Sequence, residues 1–132
     1  MSLTLPPKSQ KRRSESTLVA EIRLALGKLP WVWITRNNNL GPVVPWAKRL
    51  DPGARPVVSG LGRGSPDLVG MVDGGRVFCL EVKTDTGRTS PEQDFWIAEV
   101  NRRGGYAAVV RSVEEALAAA SGAARGGRSN IG

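Results

Sequence analysis

Two short apolar runs separated by Asp73-Gly74-Gly75 constrain this chain more than any other feature. Leu68-Val69-Gly70-Met71-Val72 and Arg76-Val77-Phe78-Cys79-Leu80-Glu81-Val82-Lys83 read as the strands of a hairpin, with the glycine-rich trio as its loop. With that loop Val72 pairs with Arg76, and the same register sets Asp67 opposite Glu81. Side chains alternate along a strand, so Phe78, Leu80 and Val82 face a core while Val77, Cys79, Glu81 and Lys83 share the other face. Two carboxylates and an ammonium group therefore converge at one end of the hairpin.

That combination has a chemical use. Two carboxylates a few ångströms apart repel unless a cation lies between them, and hard oxygen ligands favour Mg2+ or Mn2+. Such a metal polarises a phosphoryl oxygen and lowers the pKa of a water, which suits phosphodiester hydrolysis. Lys83 would orient the water or stabilise charge on phosphorus, and the backbone carbonyl of Val82 is a candidate extra ligand. An isolated Glu-x-Lys is ordinarily a solvated face with a weak ion pair. Its place in an apolar strand, with Pro66-Asp67 ahead of it, favours a site.

Pro66-Asp67 followed by Glu81-Val82-Lys83 resembles the PD-(D/E)XK nuclease superfamily. Gly62, Gly64 and Ser65 before that motif, with Gly87 to Gln93 and Gly104 after it, resemble its virus-type replication-repair nuclease (VRR-NUC) branch, over roughly residues 14 to 118. The resemblance implies an α/β, restriction-endonuclease-like core, a divalent metal and activity on DNA. It also implies a site completed by a helical glutamate before the core and a glutamine after the lysine.

Both have counterparts in the residues themselves. Ser14 is a credible N-cap for a helix from about Glu15 to Leu29, with the stripe Leu18, Val19, Ile22, Leu26 and Leu29. Glu15 stands on the inward side of that stripe, although a first-turn acid is also what the helix dipole favours. Ser90-Pro91-Glu92-Gln93 opens a second helix as a capping box, yet Gln93 lies in line with Trp96, Ile97 and Val100 on the apolar face. Capping and site roles compete for Gln93, and the resemblance favours the site role.

The chain of 132 residues has room for one domain, and its net charge of +7 fits a polyanionic partner. With no histidine, histidine-based nucleases and Ser-His-Asp hydrolysis are excluded. A single cysteine, Cys79, excludes an intrachain disulfide and reads as a small core residue. No apolar run approaches a membrane span and no signal peptide is recognisable, so a cytoplasmic protein is expected.

Residues 1–13 read as a flexible basic tail, 14–120 as the nuclease-like domain and 121–132 as a disordered Gly/Ser/Arg tail. Trp31 to Arg36 alternates as a strand, and the Gly- and Pro-rich segment from Leu40 to Gly64, with Trp46, Lys48, Arg49, Arg55 and Arg63, reads as a long loop. Arg36, Asn37, Arg63 and Arg88 are candidate nucleic-acid contacts, each with an ordinary turn or surface role as its alternative. Gly104 suits a left-handed C-cap, Tyr106 to Arg111 reads as a strand, and Ser112-Val113-Glu114-Glu115 as a capping box opening a last helix through about Ala120. The expected order is αβββαβα, a mixed sheet flanked by helices.

These readings lead to a Mg2+- or Mn2+-dependent DNA endonuclease, with Asp67, Glu81, Glu15 and the Val82 carbonyl on the metal and Lys83 and Gln93 completing the site. A homodimer acting on branched DNA such as a four-way junction is the sharper version, since symmetric cutting needs two sites. The alternatives are a basic nucleic-acid-binding module that keeps the fold without catalysis, and an assembly protein with basic tails.

Overall fold

The computed structural model of the protein describes residues 14–38, 52–53 and 61–127. Its elements are α1 (Glu15–Gly27), β1 (Val32–Arg36), β2 (Leu68–Val72), β3 (Arg76–Val82), α2 (Pro91–Arg102), β4 (Tyr106–Val110) and α3 (Val113–Ala124). The order is the expected one. Gly75 N–H donates to the Val72 carbonyl at 3.1 Å, and positive φ at Gly74 (95°) and Gly75 (83°) explains why glycines occupy the turn. Val72 faces Arg76 and Leu68 faces Leu80, as the loop length predicts.

The four strands lie in the order β1-β2-β3-β4, antiparallel except for the parallel β3–β4 pair joined through α2. On one face α1 contributes Leu18, Val19, Ile22 and Leu26, which pack with Phe78, Leu80 and Val82 of β3 and with Ala116, Ala119, Ala120 and Ala123 of α3. On the other, Ile97 of α2 covers Cys79 and Ala107. Central strand β3 is thus enclosed on both sides, and the polar end of its second face goes inside with it.

Several boundaries differ from expectation. Helix α1 stops at Gly27 rather than Leu29, and Leu29 still packs on the core from the turn that follows. Helix α3 runs four residues past Ala120, because Ala123 extends the buried alanine face and Gly122 lets Tyr106 approach; a Cβ there would sit 3.3 Å from the tyrosine oxygen. The expected tail from Ser121 is therefore helical at its start. Ser112 caps α3 by accepting from Glu115 N–H, but the Glu115 carboxylate turns to Arg111 N–H and leaves the expected capping box half made. Residues 1–13 and 128–132, and the loop residues Trp46, Lys48, Arg49 and Arg55, lie outside the described residues.

Candidate active site

Four chain segments meet at the same place. Asp67 immediately precedes β2, Glu81 and Val82 close β3 with Lys83 next, Glu15 is the first residue of α1, and Gln93 is in the first turn of α2. Carboxylate oxygens of Glu15, Asp67 and Glu81 all lie within 4.8 Å of one another. Burial is graded across the cluster: Glu81 is 2% exposed, Asp67 is half-buried and Glu15 is exposed, so the site opens to solvent at the helix.

Each inner group is held in place. Asp67 Oδ2 accepts from Val82 N–H at 2.8 Å. Two residues beyond the Leu68–Leu80 pair, Pro66 falls opposite Val82, and a proline nitrogen has no hydrogen to give the Val82 carbonyl. The ladder therefore ends at the site. Gln93 does both jobs at once: its Oε1 accepts from Ser90 N–H at 2.9 Å as a cap, and its Nε2 donates to Glu81 Oε1 at 2.9 Å. The two roles use opposite ends of one amide, so they do not compete.

Lys83 Nζ lies 3.5 Å from Glu81 Oε1. One ammonium among three carboxylates leaves negative charge uncompensated, and Glu81 records it. Burial, and then the neighbouring Asp67 carboxylate, push its pKa up to about 8, against the opposing pull of Lys83. Oxygen donors converging with an excess of negative charge fit a hard divalent cation.

The VRR-NUC domain profile matches residues 45–114, more than half of the chain. The chain belongs to the VRR-NUC family. A solved structure described as a VRR_NUC domain protein shares the fold, with a TM-score of 0.59 and 18% identity over 89% of this chain and 93% of that one. No curated protein matches the chain.

Membership of VRR-NUC places the chain in a nuclease family, and the matched segment includes Asp67, Glu81, Lys83 and Gln93. Glu15 lies outside that segment and reaches the cluster only through the packing of α1. Asn37, expected to face nucleic acid, is turned inward. Its Nδ2 donates to Ser65 Oγ (2.7 Å) and to the Pro66 carbonyl (2.9 Å), and its Oδ1 accepts from Leu61 N–H (3.2 Å). Its backbone N–H also donates to the Asp67 carbonyl at 2.8 Å. Asn37 thus latches the segment that presents Asp67, and its side-chain donors are spent on the protein.

Arg36, Arg63 and Arg88 are exposed, with Arg36 paired to Leu68 one residue from Asp67. One residue at the site was not anticipated from sequence. Arg111 Nη1 donates to the carbonyls of Thr84 (2.5 Å) and Gly87 (2.7 Å), tying down the loop that follows Lys83. No local pattern marks such a clamp, since its partners are backbone atoms 24 and 27 residues away. Among the described residues no helix is long and apolar enough to cross a membrane.

Proposed function

We propose that this chain is a Mg2+- or Mn2+-dependent DNA endonuclease. The observation that carries the reading is the convergence of Glu15, Asp67 and Glu81 within 4.8 Å, beside the Lys83 ammonium. Those three carboxylates and the Val82 carbonyl are the groups that would hold the metal. When bound, it supplies positive charge beside the scissile phosphate and makes water a better nucleophile at neutral pH.

The protein's own residues do the rest. Asp67, fixed by Val82 N–H, and Glu81, fixed by Gln93, present oxygens in a set orientation without reorganisation. Gln93 Nε2 has a second hydrogen beyond the one given to Glu81, and we assign it to orienting the attacking water. Lys83 Nζ carries the charge that answers the negative charge growing on the phosphoryl oxygens. Arg36, paired with Leu68 next to Asp67, and Arg88, five residues after Lys83, are the side chains we assign to flanking phosphates.

The finer reading is a homodimer cutting branched DNA. It is supported by a sheet face that α2 leaves uncovered. Trp33, Met71 and Val77 are paired in one row across β1, β2 and β3, and they are 61%, 39% and 43% exposed. An exposed apolar row beside an edge strand is suited to burial against a second copy.

The deciding experiment incubates wild type, Asp67→Asn and Lys83→Ala with labelled duplex, single strand, flap and four-way junction, in Mg2+, Mn2+ or EDTA. Wild type should cleave only with metal, and both variants should lose on the order of 10²-fold or more in rate while still binding DNA. Cleavage that survives EDTA, or a Lys83→Ala variant as active as wild type, would refute the assignment. Tight binding with no products on any substrate would instead identify a non-catalytic binding module.

A further inference from the structure

Next to the proposed centre, α2 carries two aromatic side chains that the core does not use. Phe95 is 67% exposed. Trp96 is half-buried and held by an Nε1–H bond to the Arg63 carbonyl at 3.2 Å. With Arg63, Pro91 and Glu92 the two rings line an open pocket of about 370 Å³. Its walls are packed together: a Cβ on Gly64 (φ 82°) would come 2.6 Å from the Glu92 Cβ, so only glycine lets the loop lie against α2. Among the described residues, neither the Arg63 guanidinium nor the Glu92 carboxylate has a partner.

We propose that this pocket takes an unpaired nucleobase of the DNA being cut, one or two nucleotides from the scissile phosphate. The base stacks on Phe95, Arg63 binds its phosphate, and Glu92 accepts from an N–H on its edge. The proposal rests on the nuclease reading above and adds the feature of DNA that the site selects. Position argues for it first. Glu92 directly precedes Gln93, which donates to Glu81, and Arg63 lies four residues before Asp67, a reach of at most roughly 14 Å.

Chemistry argues for it second. A phosphate alone would account for Arg63 but not for the rings, and an apolar ligand would account for the rings but not for a free cation and a free carboxylate beside them. A nucleotide offers an aromatic face, donor edges and an anion together. In duplex DNA the faces of each base are covered by its neighbours, so only a base out of the stack can use Phe95. The site would therefore select gaps, flaps and junction arms over continuous duplex.

The test uses labelled duplexes in which a single nucleotide is left unpaired at successive positions, cut by wild type, Phe95→Ala and Phe95→Trp in Mg2+ or Mn2+. The same positions carrying 2-aminopurine are read by fluorescence in EDTA, where stacking quenches the probe. Wild type should favour one unpaired position and quench the probe there. Phe95→Ala should lose about 5- to 100-fold in kcat/KM on that substrate, lose the quench, and keep its rate on fully paired duplex, while Phe95→Trp retains all three.

A Phe95→Ala variant that cuts and quenches like wild type overturns the proposal, as does equal loss on paired and unpaired DNA. If wild type cuts nothing, the nuclease reading fails and the quench decides alone. A position-specific quench lost in Phe95→Ala sustains the pocket, and its absence in wild type removes it.

Discussion

A carboxyl group buried on one face of a sheet beside a second carboxylate keeps its proton into the neutral range, and Glu81 is pushed up to about 8 for that reason. Its folded pKa lies above the ordinary value of 4.5, so protonated Glu81 favours the fold. That contribution is whole below about pH 4.5 and is lost as pH rises through about 8. Metal-free protein should accordingly lose on the order of 2 to 4 kcal/mol of stability across that window. Thermal denaturation in EDTA at stepped pH measures the slope. Glu81→Gln should flatten it, and added Mg2+ or Mn2+ should stabilise most at high pH, where the carboxylate is free of its proton. A slope unchanged in Glu81→Gln would show that other groups carry it. The pairing of Asp67 with Glu81 was legible from the loop length, but the rise in pKa was not, because it depends on α2 lying over that end of β3.

At the scale of elements, the centre exists because loops hold strand and helix ends together. Asn37 leaves β1 and spends its amide on Leu61, Ser65 and Pro66, while Trp96 and Gly64 join the same loop to α2. Asn37→Ala would leave buried partners unsatisfied and free the backbone that presents Asp67. It should cost about 1 to 3 kcal/mol of stability and weaken Mg2+ or Mn2+ binding about tenfold, measured by calorimetric titration of the folded variant. Unchanged metal affinity would show that Asp67 is placed without this latch. In the sequence, Arg36-Asn37-Asn38-Asn39 signals a turn or a contact to DNA, and only the return of residues 61–66 beside β1 reveals a structural amide. Gly70 is similar: a Cβ there would come 1.8 Å from the Trp33 carbonyl, a closeness no pattern in β2 announces.

For the whole molecule, the uncovered row of Trp33, Met71 and Val77 and the net charge of +7 suit different partners, a second copy and DNA. Sedimentation should find wild type dimeric at micromolar concentration and Trp33→Lys monomeric. The monomer should keep metal-dependent cleavage while losing paired nicks on a four-way junction. A wild-type monomer, or a Trp33→Lys dimer, would remove this face as the interface.

Sequence by itself determined the elements and the hairpin register. Turn glycines, helix caps and alternating apolar residues act over a few positions, and a three-residue loop leaves one pairing that puts Asp67 across from Glu81. It also supplied the acids, the lysine and the glutamine at their spacing. Tertiary structure alone decided that α1 brings Glu15 within reach of both acids, that α2 encloses Glu81, and that Asn37 faces the protein instead of DNA. Those outcomes depend on which helix covers which face of the sheet and on contacts between residues distant in the chain, where no local periodicity carries the information.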